Sequence, residues 1–266
     1  YLAGRDWPDG RFTPEIAQAL ARTRNAEYLY LAGHDLAEWD CWDGGRFIPE
    51  IAQALAESGN AEYLYLAGLH WPDEHFISEI AQALAETRNA GYLYFAGRDW
   101  PEGRFNTTLL EALTQTGNVE YLYLAGRDWP AERFSEGLTE ALCRTQRADY
   151  LYLAGKDWPE EHFNAIILEA LIRTGNVECL YLVGRDWSGG RFNEKITQVL
   201  LATGSAKYLY LSGKDWPDDR YTDDILQALI RTGDPKYLYL AGRHWPAGRV
   251  SDALAEALRE SGDAYW

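Results

Sequence analysis

The chain has 266 residues, with 41 acidic against 25 basic side chains and a net charge of −16. That balance excludes nucleic-acid binding by phosphate neutralisation, which needs clustered Lys and Arg, and it suits a basic protein partner or plain solubility. No apolar run approaches the ~18 residues that suggest a membrane span, so no membrane partner is expected.

Along the chain, the phrase YLYLAG or a near variant begins at Tyr28, Tyr63, Tyr92, Tyr121, Tyr150, Cys179, Tyr208 and Tyr237. From Tyr63 onward each step is 29 residues, whereas the step from Tyr28 to Tyr63 is 35. One copy therefore carries a six-residue insertion, Leu36–Cys41 (LAEWDC). A fixed period in this range marks a repeat array, in which each copy buries its apolar face against its neighbours. About nine copies fill residues 1–266 without a linker, so one elongated solenoid domain is expected. The chain opens at Tyr1, already inside a copy, and contains no Met, so it reads as a segment of a longer protein. Cys41, Cys143 and Cys179 follow no spacing rule; they read as unpaired thiols and point towards a reducing, intracellular compartment.

Each copy begins with a predicted strand. In Val119–Gly126, VEYLYLAG, apolar and aromatic residues alternate with period two, Leu122 and Leu124 facing one way and Tyr121 and Tyr123 the other. A loop follows, RDWPAERF, holding Pro130. Its tryptophans (Trp71, Trp100, Trp129 and their equivalents) are expected in the core, each indole N–H on a loop carbonyl. A helix comes next, with candidate N-caps at Thr13, Asn106, Ser135, Asn164, Asn193, Thr222 and Ser251. Leu109, Leu110 and Leu113, repeated as Ile225, Leu226 and Leu229, form its buried stripe. It ends at Thr-Gly-Asn, as at Thr116–Asn118, with Gly supplying a left-handed C-cap. Strand, loop and helix in succession predict parallel strands joined by right-handed crossovers. The expected fold is α/β, a right-handed parallel-sheet solenoid with helices outside and a sheet lining its concave wall.

The pattern VxxLxLxGRxW, from Val119 to Trp129, resembles the LxxLxLxxNxL segment of leucine-rich repeats. The helix and the period resemble the ribonuclease-inhibitor class of that family, and the likeness runs through the whole chain. It departs at the ladder position usually held by Asn or Cys, which is Arg, Lys or His here (Arg127, Lys156, His34). The resemblance implies a horseshoe with a partner-binding concave wall, and it names no ligand.

The candidate binding surface is a pair of tyrosine ladders on that wall: Tyr63 and Tyr65, Tyr92 and Tyr94, Tyr121 and Tyr123, Tyr150 and Tyr152, Tyr181, Tyr208 and Tyr210. So much aromatic area makes an amphipathic floor of the kind enriched in interfaces. Trp39, in the insertion, adds to one loop edge. A second feature is the run of neighbouring opposite charges, Arg98/Asp99, Arg127/Asp128 and Lys156/Asp157, broken at Leu69/His70 and at His244. It reads either as a structural ion-pair ladder or as a rim that docks a polar ligand. Catalysis is not expected, because the five histidines are scattered and no triad, carboxylate pair or phosphate loop stands apart from the repeat. His34, Asp35, Asp40 and Cys41 match no metal-ligand spacing, and no cofactor is expected. The expected function is non-catalytic recognition of a protein or peptide, as the sensor segment of a larger protein. Two alternatives are a scaffold that self-associates end to end through open strand edges and glycan binding on the aromatic floor.

Overall fold

In a computed structural model, residues 14–38 and 49–261 are described, and among them there is no β-strand. Seventeen α-helices take the place of the predicted alternation of strand and helix. The α/β assignment, the sheet-lined horseshoe and the likeness to leucine-rich repeats are thereby overturned. Val119–Gly126, expected as a strand, lies in the helix Val119–Asp128.

The physical reason lies in which residues are buried. A strand would put Leu122 and Leu124 on one face, yet Leu122 is fully buried while Leu124 is half-exposed. The buried set Leu122, Tyr123, Ala125 and Gly126 follows helical spacing. The alternation in Tyr-Leu-Tyr-Leu is only four residues long, too short to fix a period. Both ends of this segment carry helix signals. The Asn118 side chain accepts the Tyr121 backbone N–H at 3.4 Å, and Glu120 in the first turn and Arg127 in the last suit the helix dipole. Trp129 precedes Pro130, which drives it into extended geometry (φ −76°, ψ 146°) and stops the helix.

The second element of each repeat is a helix as expected. Thr107–Thr116 is capped by Asn106, which accepts the Leu109 N–H at 3.2 Å, and it buries Leu109 and Leu113 completely. It ends at Gly117 with φ 63°. The Thr116 hydroxyl donates to the Leu113 carbonyl at 2.6 Å and accepts the Asn118 N–H at 3.2 Å. Thr-Gly-Asn thus closes one helix and opens the next. Of the other expected caps, Asn164 and Asn193 accept backbone N–H groups. Thr222 and Ser251 make no side-chain cap bond, and Thr13 lies outside the described residues.

The chain forms two compact units, Tyr1–Ala141 and Leu142–Trp266, with the helix Glu136–Arg144 at their boundary. In the first, the tyrosine-bearing helices Ala26–Glu38, Ala61–His70, Ala90–Asp99 and Val119–Asp128 pack side by side. The leucine-bearing helices Pro14–Thr23, Pro49–Ser58, Ser78–Thr87 and Thr107–Thr116 form a second row, and the first three tyrosine helices each rest on the leucine helix that follows. In the second unit, tyrosine helices Ala148–Asp157, Val177–Asp186, Ala206–Asp215 and Pro235–His244 pack in a row. Each rests on its following leucine helix, Ala165–Thr174, Glu194–Thr203, Asp223–Thr232 and Asp252–Glu260. No helix among the described residues is long and apolar enough to cross a membrane. The insertion lengthens the helix Ala26–Glu38 to 13 residues, against 10 in the next tyrosine helix; Trp39, Asp40 and Cys41 lie outside the described residues.

Candidate binding surface and the joints between repeats

The tryptophans build the joint between neighbouring repeats. Trp100 leaves its helix at the Trp-Pro corner and reaches back to the preceding tyrosine helix. There its indole N–H donates to the Tyr65 carbonyl at 3.0 Å. Trp71, Trp129, Trp187, Trp216 and Trp245 do the same to Tyr30, Tyr94, Tyr152, Tyr181 and Tyr210. The acceptor carbonyl is on a helix, not on a loop as expected. The indole has room because the facing helix carries Gly: a β-carbon built on Gly68, Gly97, Gly155, Gly184 or Gly213 would overlap the ring of the next repeat's tryptophan.

An arginine fastens the same joint. Arg133 donates to the Gly97 carbonyl at 2.8 Å and to the Trp100 carbonyl at 2.6 Å. Arg191, Arg220 and Arg249 repeat this on the two corresponding carbonyls of their preceding repeats. These are carbonyls at the end of a tyrosine helix, which have no acceptor role within it, and a cation there also suits the dipole. Histidine replaces arginine at His75 and at His162, and the His75 Nδ1 lies 2.9 Å from the Gly33 carbonyl. Each guanidinium also lies over an aromatic ring of the preceding repeat, such as Arg191 over Phe163 at 4.6 Å and Arg249 over Tyr221 at 4.5 Å.

The second tyrosine of each phrase is a joint residue too. The hydroxyl of Tyr65 donates to Asp99 at 2.8 Å, that of Tyr94 to Asp128 at 2.6 Å and that of Tyr181 to Asp215 at 2.6 Å; Tyr152 donates to Asp186. Each carboxylate is held by the cation beside it: Arg98 Nε lies 2.7 Å from Asp99, and Arg127 Nε 2.7 Å from Asp128. Arg98, Arg127, Lys156 and Arg185 in turn lie over the rings of Tyr94, Tyr123, Tyr152 and Tyr181. Bonding to arginine holds Asp99, Asp128 and Asp186 below the ordinary carboxylate range. Burial, and then bonding to a carboxylate, pushes the phenols of Tyr65 and Tyr181 up to about 12. Where Asp is absent, histidine fills the place: Tyr30 Oη lies 2.9 Å from His70 Nδ1, and Tyr210 Oη 2.9 Å from His244 Nδ1.

The two tyrosine ladders therefore part company. Tyr94, Tyr123, Tyr152, Tyr181 and Tyr210 are buried, 3–8% exposed, and are no floor for a ligand. Tyr65 is half-buried, and so are the first tyrosines Tyr63, Tyr92, Tyr121, Tyr150 and Tyr208. Their rings pack against the second tyrosine of the preceding repeat, with centroids 5.8 Å apart for Tyr30–Tyr63 and 5.7 Å for Tyr65–Tyr92 and Tyr94–Tyr121. Beside them run the half-exposed Leu66, Phe95 and Leu124. Arg98, Arg127, Lys156 and Asp157 are exposed and Asp99 and Asp128 half-buried. The stripe left to solvent by a tyrosine helix is thus an acid, a tyrosine, a leucine and a cation, as in Glu120, Tyr121, Leu124 and Arg127.

A separate groove of about 690 Å³ crosses the leucine row of the first unit, lined by residues that include the ion pair of Arg24 and Glu57. No cluster of three or more metal-ligating side chains occurs among the described residues, and Cys143 and Cys179 lie in buried positions. Sequence reasoning passed over the joint arginines and the helical glycines. Their signal was available: Arg stands four residues after the tryptophan at Arg104, Arg133, Arg191, Arg220 and Arg249, and Gly recurs at one fixed position of every phrase. No protein-family model matches the chain, and no curated protein matches it.

Proposed function

We propose that this chain is a non-enzymatic recognition module that captures a protein or peptide along the exposed stripe of its tyrosine helices. One observation carries the reading. The joints consume the tryptophan, the loop arginine, the second tyrosine and the aspartate of nearly every repeat, yet the first tyrosine and its neighbouring leucine stay partly open in repeat after repeat. Half-exposed aromatic and aliphatic side chains in a row are the chemistry of an interface centre, and a charged border surrounds them.

The test is selection from a displayed library of random peptides. The reading expects peptides that bind the chain and lose binding when Leu66, Phe95 and Leu124 are each changed to Ser, with helical content unchanged. Peptides bound equally by the parent and this variant, or no enriched peptides at all, would overturn it.

A further inference from the structure

The first tyrosines of the two compact units differ in one respect. In the second unit each such ring carries a cation of the chain's own: Arg147 lies over Tyr150 at 5.4 Å, Lys207 over Tyr208 at 4.7 Å and Lys236 over Tyr237 at 5.1 Å. In the first unit, Tyr63, Tyr92 and Tyr121 carry no such cation among the described residues. The positions that hold Lys207 and Lys236 hold Glu62, Gly91 and Glu120 there instead.

Register places Glu27 and Glu62 at two of these rings and Gly91 at the third. The Tyr121 hydroxyl lies 3.1 Å from a β-carbon built on Gly91 of the preceding repeat. The same step puts Tyr92 beside Glu62 and Tyr63 beside Glu27. The phenols respond accordingly: burial first, then the Glu27 and Glu62 carboxylates, raise Tyr63, and burial and Glu62 raise Tyr92. Glu27, Glu62 and Glu120 are exposed, and none makes an ion pair among the described residues. The first unit therefore presents Tyr63 and Tyr92 beside uncompensated carboxylates, with exposed Glu120 preceding Tyr121 in the same row, where the second unit has already placed cations of its own.

We infer that this row receives the cationic side chains of a partner: an extended, lysine- or arginine-bearing protein segment with a cation at every third residue. The inference rests on the recognition reading above and adds the chemistry and location of the ligand. A cation over a tyrosine face gains from the ring quadrupole, and a carboxylate beside it adds charge attraction. Spacing follows from packing. Helices in contact lie about 8–10 Å apart, and three residues of extended chain cover about 10 Å. Each position is too open to hold one small cation well, so a useful affinity needs several linked on a single chain.

The experiment uses the whole chain and a fluorescent peptide with lysine at every third residue and alanine between, followed by anisotropy. Low-salt binding is expected to weaken at least about tenfold in Glu62→Lys/Glu120→Lys, a change that installs the residue type already accommodated at Lys207 and Lys236. The reverse change, Lys207→Glu/Lys236→Glu, is expected to strengthen it. Glu79→Lys/Glu111→Lys, on the leucine helices, alters net charge equally and is expected to leave affinity within about twofold. The inference is overturned if the first variant binds like the parent or if the leucine-helix variant weakens binding as much. It is also overturned if a peptide with all its lysines contiguous binds equally well, or if spermidine competes at the same concentration as the peptide. Should the charge variants have no effect while the library peptides still require Leu66, Phe95 and Leu124, this inference falls and the recognition surface stands.

Discussion

Trp129 closes over Gly97, and its indole N–H is bonded to the Tyr94 carbonyl one turn earlier in the same helix. A glycine inside a helix costs about 1 kcal/mol relative to alanine, so its recurrence reflects the space the ring requires. Gly97→Ala is expected to destabilise the chain by about 2–3 kcal/mol, because overpacking outweighs the gain in helix propensity. Gly242→Ala reverses the sign. Gly242 is exposed, and a β-carbon there meets Leu254 at an ordinary 3.8 Å, so a gain of up to about 1 kcal/mol is expected. Urea unfolding of the two variants against the parent checks both; equal effects at the two sites would refute the role given to the indole.

Arg133 binds two carbonyls of the preceding repeat at once. Arg133→Ala leaves both without that donor and is expected to cost about 2–3 kcal/mol. Arg133→Lys is expected to recover only part, since lysine lacks the fork that spans two acceptors. Arg127 is exposed and pairs with its neighbour Asp128, so Arg127→Ala is expected to cost less than about 1 kcal/mol. Thermal melts of the three variants give the ranking.

Half of each repeat was legible in the sequence. The leucine helix announced itself through Asn106, the Leu109/Leu113 spacing and Gly117, all local signals that the structure keeps. The tyrosine helix did not, because Tyr-Leu-Tyr-Leu alternates aromatic and aliphatic residues, its tyrosines favour strands, and tertiary packing overrides such a preference. Asn118 follows a helix-ending glycine and so resembles the tail of one element, whereas its side chain starts the next. The same error placed all the tyrosines on one solvent wall. In a helix, neighbouring tyrosines such as Tyr121 and Tyr123 point about 200° apart, so one becomes a joint and the other stays at the surface.

Ser212 and Arg88 depart from their counterparts in other repeats at a cost the structure makes visible. Ser212 is fully buried with its hydroxyl unpartnered, where Ala67, Ala96, Ala154 and Ala241 stand elsewhere. Ser212→Ala is expected to stabilise by about 1 kcal/mol. Arg88 takes φ 51° at a helix C-cap where Gly117 and Gly175 stand in other repeats. Arg88→Gly is expected to add about 0.5–1 kcal/mol through relief of the left-handed strain, less the entropy gained by the unfolded chain. Denaturation midpoints decide each; a loss of stability in either variant would contradict the reading of that site.

The Tyr–Asp–Arg ladder makes stability depend on pH at both extremes. Arg98 beside Asp99 depresses that carboxyl below its ordinary 3.8, and Asp128 and Asp186 are depressed by Arg127 and Arg185. A depressed acid releases its proton more readily when folded, so its stabilisation is complete above the unfolded value and is lost as pH falls through the folded one. The acid loss is therefore expected below about pH 4, and Asp99→Asn should make that limb shallower. The phenols work in the opposite sense. Tyr65 and Tyr181 are raised from 10.0 to about 12, so the folded chain keeps protons that the unfolded chain gives up. Their stabilisation is complete below pH 10 and drains between 10 and about 12. Spectroscopic titration of tyrosinate should show a late-titrating group of phenols in the folded chain, and Tyr65→Phe should reduce that fraction while moving alkaline unfolding to higher pH. A single phenol transition at the ordinary value would show that the joint hydroxyls are not held by their carboxylates.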